Sequence, residues 1–387
     1  MKWNRRKGIG MISEQEPVRV LHIVGSMHPG GMENFIMNLY RTIDRTKVQF
    51  DFIVHQSGDA GYEKEIRDMG GRIYALPRLT AHPAANLKGL YRIVKDGHYP
   101  VVIRHTPNAL VAPQVITASR AGAWAVCHSH NTTDPKKLLH KLGKLLLRFC
   151  KIGRFACSKA AGIWMFGKKE CTVVHNAVDI GKFCFDPEKR ARIRREFSLE
   201  DRHIYGHVAN FIASKNHTFL LEIYQEISRM DERAAFFCIG DGELREQMER
   251  EAERLGIRDN VFFTGVRHDV DAFLSAMDVL IFPSVFEGLP LTLIEAQAAG
   301  LPCLISKAVD AGVKVTDGLI TWKSIDEPKE AWAADAAALY QSSAGRFPDN
   351  RDCQQEAIAQ AGYDIRKLVK WYENYFCTEA SKKQNGK

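Results

Sequence analysis

Phe286-Glu287-Gly288-Leu289-Pro290-Leu291-Thr292-Leu293-Ile294-Glu295-Ala296-Gln297-Ala298-Ala299-Gly300-Leu301-Pro302 sets the frame in which the remaining residues make sense. The apolar run Val279–Phe282 just before it has the length and composition of a buried strand. A loop then leads to Pro290, which suits the first turn of a helix because its missing N–H costs little there. Gly300 and Pro302 end that helix. Glu287 is therefore expected in a loop at the carboxyl end of a strand, and Glu295 inside the helix that follows. In open α/β sheets this is where ligands bind. The helix N-terminus at Pro290 favours a phosphate, and eight helical residues rise about 12 Å. Two carboxylates so placed could grip two parts of one long ligand. A nucleotide-sugar has that form, with a sugar at one end, a ribose at the other and a diphosphate between. Taken alone, the two acids also fit ordinary surface positions flanking a helix.

Composition limits the alternatives. With 387 residues, 45% hydrophobic and 26% charged, the chain has the make-up of a globular protein of two domains. A net charge of +8 suggests an anionic partner such as a phosphate, a membrane surface or a nucleic acid. The nine cysteines include no Cys-x-x-Cys pair, so neither a zinc site nor a disulfide framework is indicated. Cys157, Cys238 and Cys303 sit in apolar runs and read as reduced residues of a cytoplasmic protein. Residues 1–16 read as a basic disordered tail, with Met11 a second candidate start. The tail lacks the apolar segment of a signal peptide, and no run of about 18 apolar residues could span a membrane.

Strand-like and helical runs alternate from Val18 onward. In the first half, Val18–Val24, Phe50–Val54, Arg72–Leu76, Val101–Arg104, Ala123–Cys127, Phe155–Ser158 and Thr172–Val174 read as strands. In the second half, Ile204–Ala209, Ala234–Ile239, Val261–Phe263 and Val279–Phe282 do. The alternation predicts α/β architecture with parallel, doubly wound sheets. Gly30-Gly31 lies between the first strand and its helix, where backbone N–H groups could approach a phosphate; it is also plain turn chemistry. His128-Ser129-His130-Asn131 follows a strand. A histidine there could hydrogen-bond a sugar or stabilise developing charge, or it could simply cap the strand.

Lys136–Arg154 carries seven basic residues and no acid. Lys137, Lys141, Lys144, Arg148 and Lys151 fall on one stripe of a helix, beside a second stripe of Leu138, Leu142, Leu145, Phe149 and Ile152. A basic amphipathic helix suits an anionic membrane surface, with the leucines expected to face inward and the lysines to face lipid head groups. Nucleic acid is a poorer fit to the charge, which concentrates in one helix without interleaved aromatics.

Several pieces together resemble the retaining glycosyltransferases of family 4, especially the bacterial enzymes of exopolysaccharide and capsule synthesis. They are Gly30-Gly31-x-Glu33, His128-Ser129-His130-Asn131, Ala156-Cys157-Ser158, Asn176-Ala177-Val178-Asp179, Lys215-Asn216-His217 and the block Glu287 to Pro302. The resemblance covers about Val18 to Phe376. It implies the GT-B fold: two Rossmann-like domains facing a cleft, here 17–180 for the acceptor and 181–360 for the donor, with a last helix at 361–378 crossing back to the first. It also implies a nucleotide-sugar donor, a UDP-sugar by preference, and a lipid-linked saccharide acceptor in surface polysaccharide synthesis. Cofactors and metal are not expected. His130, Lys215 and Glu287 take the catalytic positions. Gly30, Gly31, Asn210, Gly240, Arg267, Gly288, Leu289, Pro290 and Glu295 take the donor-binding ones, with Glu295 on the ribose. One position departs. Relatives write Gly-His-Val-Gly-Arg-Phe where this chain has Gly206-His207-Val208-Ala209-Asn210-Phe211, so a neutral amide replaces an arginine that clamps the diphosphate. A catalytically weakened protein acting as a donor-binding or partner subunit is the alternative this departure raises.

Overall fold

A computed structural model describes residues 16–28, 30–55, 61–131, 137–287, 289–344 and 351–385. The chain divides into two compact units, one of Met1–His175 with Val369–Lys387 and one of Asn176–Leu368. Each holds one parallel sheet. In the first unit β1 (Val18–Ile23), β2 (Val48–Val54), β3 (Ile73–Ala75), β4 (Val101–Thr106), β5 (Trp124–Ser129), β6 (Gly153–Ala156) and β7 (Thr172–Val173) lie in the order β3-β2-β1-β4-β5-β6-β7. In the second, β8 (His203–Val208), β9 (Ala234–Ile239), β10 (Val261–Gly265), β11 (Val279–Phe282), β12 (Cys303–Ser306) and β13 (Ile320–Lys323) lie in the order β10-β9-β8-β11-β12-β13. Every pairing between these strands is parallel.

The near-continuous apolar runs of the central strands follow from burial on both faces. In β9, Ala235, Phe237 and Ile239 pack into one cluster with Leu293 and Ile294 of the helix Leu291–Ala298, while Ala234, Phe236 and Cys238 pack into another with Leu220, Ile223 and Trp332. The strand order reverses direction between β1 and β4 in the first unit and between β8 and β11 in the second. Such switch points leave a crevice at the carboxyl ends of the two strands, so the loops after β1, β4, β8 and β11 are the places to look for a ligand.

Three local features differ from the sequence expectation. The strand expected over Ala123–Cys127 runs on to Ser129, and β5 pairs with β4 as far as Thr106↔Ser129. His128 is therefore a buried strand residue and His130 alone stands past the strand end. The last helix spans Ile365–Asn385. Its aromatic face packs on the first unit, with Tyr375 and Trp371 rings 5.2 and 5.4 Å from Phe155 and the Tyr375 hydroxyl accepting from Trp124 Nε1 at 2.7 Å. Cys184 and Cys353 are joined by a disulfide, with Cα atoms 5.3 Å apart. They are separated by 169 residues in sequence, a distance over which spacing carries no signal. Cys238 and Cys303 are free and buried, and Cys157 is free and half-buried.

Candidate functional site

The second unit brings four of the expected residues to its switch point. After β8 the chain passes Ala209 and an exposed Asn210. Gly240, after β9, backs directly onto this loop. Its φ of 134° is open to glycine, and a β-carbon there would stand 2.1 Å from the Ala209 carbonyl oxygen. A short 3-10 turn, Ala213–Lys215, then presents Lys215, and Asn216 reverses the chain with φ 59°. Two bonds tie this turn to the loop after β11: Val285 N–H donates to the Ser214 carbonyl at 2.9 Å, and Asn216 Nδ2 donates to the Pro283 carbonyl at 3.2 Å. The same two loops are closed by an ion pair between Lys215 Nζ and the Glu287 carboxylate. Both side chains are largely buried, at 16% and 15% exposure, and the ammonium lies 5.6 Å from the centre of the Phe282 ring. Lys215 and Glu287 thus hold each other.

The helix after the loop spans Leu291–Ala298, with Pro290 as the residue before it. Glu287 is thus outside the helix, in a bridge to Val309, and its spacing from Glu295 is set by the loop rather than by helical rise. Gln297 anchors the helix: its amide donates to Leu293 O and Val313 O at 2.8 Å each, and its oxygen accepts from Val315 N, Thr316 N and Thr316 Oγ1. Glu295 sits on this helix with its side chain partly at the surface. Among the described residues its carboxylate has no hydrogen-bond or ion-pair partner. Burial pushes its carboxyl up to about 7, with the charge of Asp271 adding to the rise and that of Lys182 opposing it. An unpaired carboxylate that resists ionisation in this way is poised for donors brought by a ligand. Leu289 and Pro290 are half-buried, and Gly288 lies outside the described residues.

Arg267 is placed differently from the rest. Its guanidinium makes hydrogen bonds of 2.9 and 3.1 Å to Asp269 and one of 3.3 Å to Glu196, and it stacks 4.8 Å from the Phe273 ring. Its charge is already answered by two acids.

In the first unit the switch point holds four histidines, two of which the sequence did not single out. His22 (β1), His105 (β4), His128 (β5) and His130 come together, the first three buried and the last half-buried. His22 Nδ1 and His105 Nε2 are 3.0 Å apart, and His105 Nδ1 and His130 Nε2 2.9 Å apart. Desolvation keeps all four rings neutral: His22 and His130 are pushed down to about 3, and His105 and His128 well below the ordinary range. Ligand nitrogens of His105, His128 and His130 lie within 4.8 Å of one another, but the first and last are spent on their mutual hydrogen bond. Of the groups acting on His105, only the Arg104 guanidinium carries a charge, and it opposes a further cation there. Arg104 is half-buried, holding Gln114 Oε1 at 2.8 Å and the Ile23 carbonyl at 3.0 Å. A histidine near the carboxyl end of each of β1 and β4 was the available sign. Gly30 and Gly31 open the helix Gly31–Thr42; a β-carbon at Gly30 would meet the Glu33 carboxylate at 2.6 Å, and one at Gly31 would meet nothing within 4 Å.

Comparison with known proteins assigns this arrangement. Residues 189–357 match the family described as glycosyl transferases group 1, and residues 29–182 match glycosyltransferase family 4. EpsF of Bacillus subtilis, named as a glycosyltransferase, is 34% identical over 388 residues, covering 95% of this chain and 98% of EpsF. The chain belongs to glycosyltransferase family 4. A galactosyltransferase of Escherichia coli, which by its name transfers from UDP-Gal to α-D-GlcNAc-diphosphoundecaprenol, is 22% identical over 76% of this chain and 81% of its own length. Among solved structures, Anabaena Alr3699/HepE in complex with UDP-glucose superposes with a TM-score of 0.73 at 18% identity, covering 93% of this chain and 99% of that one. The glycosyltransferase described here thus has the GT-B type of architecture, with a Rossmann-like sheet in each unit. Lys215 and Glu287 pair at one switch point, Glu295 lies on the helix that follows, and His130 stands at the other switch point.

Proposed function

We propose that the chain transfers a sugar from a nucleotide-sugar, a UDP-sugar by preference, to a hydroxyl of a lipid-linked saccharide in surface polysaccharide synthesis, with retention of anomeric configuration. The Lys215–Glu287 pair at the β8–β11 switch point, with an unpartnered Glu295 on the helix that follows, carries this reading. In it, within the second unit Lys215 and the N-terminus of the helix Leu291–Ala298 meet the diphosphate, Glu295 accepts the ribose hydroxyls and Glu287 meets the sugar; in the first unit His130 is the residue assigned to a sugar oxygen. A donor diphosphate competes with Glu287 for Lys215 and frees the carboxylate for the sugar. A screen of nucleotide-sugars by thermal shift, followed by turnover with those that bind, tests the reading; binding of no nucleotide-sugar would refute it. The name of the galactosyltransferase supports the choice of donor and acceptor class, and the UDP-glucose complex that of the donor.

The Glu295 carboxyl gives a pH signature. Only its ionised form can accept two hydroxyl hydrogens, and it ionises around pH 7. UDP affinity should rise with pH and level off above that value, falling by up to about tenfold per unit below it. Glu295→Gln should lose this dependence. The diphosphate's own ionisation is common to both proteins, so the difference between their calorimetric profiles isolates Glu295. The sign for folding runs the other way. A carboxyl whose pKa is raised in the fold stabilises it at low pH and loses that contribution as pH rises through about 7. Glu295→Gln should therefore melt higher than wild type at pH 8.

The basic helix spans Lys137–Arg148, and its packing reverses the expected orientation of the leucines. His140, Gly143 and Leu147 are buried, whereas Leu142, Leu145, Leu146 and Phe149 are 62%, 54%, 48% and 80% exposed. The inner face is chosen by close approach. A β-carbon at Gly143 would stand 2.1 Å from the Ala109 carbonyl, and His140 stacks on Trp164 with ring centres 3.9 Å apart while accepting from Ala109 N. The larger apolar residues are left outside, flanked by exposed Lys141, Arg148 and Lys151. Lys136 and the side chains of Lys137 and Leu138 lie outside the described residues. No described helix is long and apolar enough to cross a membrane. An apolar strip with a basic border suits the cytoplasmic face of an anionic membrane, where the acceptor lipid resides. Changing Leu145 and Phe149 to Ser, or Lys141, Arg148 and Lys151 to Glu, should abolish co-sedimentation with anionic vesicles and leave UDP binding intact. About 1 kcal/mol per basic residue is at stake. Sedimentation that ignores both sets of changes would show that the strip has another role.

One observation favours a second reading, a weakened enzyme serving as a donor-binding or partner subunit. Asn210 stands where a second cation is expected, and Arg267 is engaged by Asp269 and Glu196.

A further inference from the structure

We propose that His105 is a positioning residue that sets which nitrogen of His130 carries the proton, through the buried chain His22–His105–His130. The proposal rests on the reading that His130 meets the sugar. Its physical basis is a count of protons. His22 and His105 are buried and His130 half-buried, and all three rings are neutral, so each carries one N–H. His105 uses both nitrogens, Nε2 toward His22 Nδ1 at 3.0 Å and Nδ1 toward His130 Nε2 at 2.9 Å. With one hydrogen it must donate at one end and accept at the other, so the chain has two directions only. In the first, His22 Nδ1–H donates to His105 Nε2, His105 Nδ1–H donates to His130 Nε2, and the His130 proton sits on Nδ1. In the second every bond is reversed, and His130 Nδ1 is bare.

His130 Nδ1 and His22 Nε2, the two ends of the chain, are buried and have no partner among the described residues. His130 Nδ1 is therefore the nitrogen left for a ligand, and the chain decides whether it arrives as a donor or an acceptor. A ligand oxygen carrying developing negative charge selects the first direction, because only there does His130 offer an N–H. The rings are held against rotation by their neighbours: His22 stacks on His105 at 5.2 Å between centres, and His130 packs on His128 at 4.1 Å and Phe35 at 5.9 Å. A free imidazole reaches both tautomers by exchanging protons with water; this one changes only if the whole chain changes with it.

The test compares His105→Asn with His105→Leu. The two side chains have nearly the same shape, so any packing loss is common to both. The Asn amide nitrogen stands near the former Nδ1 and can donate to His130 Nε2; Leu cannot. In 15N-histidine-labelled protein, long-range 1H–15N correlation should show His130 as the Nδ1–H tautomer in wild type and in His105→Asn, and a mixture or the other tautomer in His105→Leu. Turnover of a UDP-sugar should be retained within a few-fold in His105→Asn and fall about tenfold or more in kcat, with little change in KM, in His105→Leu. The same His130 tautomer in both variants, or equal turnover in both, would overturn the proposal. His130→Ala with wild-type turnover would instead refute the sugar-site reading, and the NMR comparison would still decide the tautomer chain by itself.

Discussion

Lys215→Ala should lower turnover of a UDP-sugar by about 10²–10³-fold, the usual cost of removing one preorganised group from developing charge. The donor leaves as a diphosphate that gains negative charge as the glycosidic bond breaks. In the second unit Lys215 is the cation set at the switch point, half-enclosed beside the Phe282 ring and held by Glu287. Water screens it poorly there, so its charge counts for more than that of a surface lysine. The loop itself should survive the change, because the Val285–Ser214 and Asn216–Pro283 bonds do not involve the ammonium. The loss should therefore appear mainly in kcat, with a smaller rise in KM for the ground-state diphosphate. A variant that keeps wild-type kcat would remove Lys215 from the reaction.

Asn210→Arg, made together with Ala209→Gly, should raise turnover at least tenfold, within the about 10²–10³-fold worth of one such donor. Asn210 is exposed at the end of β8, so a longer side chain meets no packing penalty there. Ala209 stands against Gly240 with its carbonyl in close approach, and glycine at 209 frees the loop to adjust. Arginine brings a planar fork that matches a phosphate, which an amide does not. The engaged state of Arg267 removes the nearest sequence candidate for a compensating cation. A wild type already as fast as the double variant would mean that another group supplies the charge. If both are inactive with every donor that binds and with a lipid-linked acceptor present, the partner-subunit reading gains.

The strands β1 to β11 were legible because parallel strands buried on both faces leave apolar runs such as Ala234–Ile239 that few other structures explain; β12 and β13 were not marked as strands. The block from Glu287 to Pro302 was legible because a strand, a loop, a proline and a terminating glycine constrain one another locally. What sequence did not show depended on contacts between distant segments. The length of β5 was set by pairing with β4, which buried His128 and left His130 at the edge. The inner face of the basic helix was set by Gly143 meeting Ala109, so counting leucines chose the wrong side. The Cys184–Cys353 bond joins residues brought together only by folding. His22 and His105 sit in strands that read as core, and their meaning emerges only when the switch point gathers them with His130.

Calorimetric titration of UDP into wild type and Glu295→Ala at pH 8 is the most direct test of the nucleotide site. Wild type should bind one UDP. Glu295→Ala should bind it at least about tenfold more weakly, since each hydrogen bond to a carboxylate is worth roughly 1.5–3 kcal/mol. Unchanged affinity in Glu295→Ala, or no binding of UDP to the wild type, would contradict it.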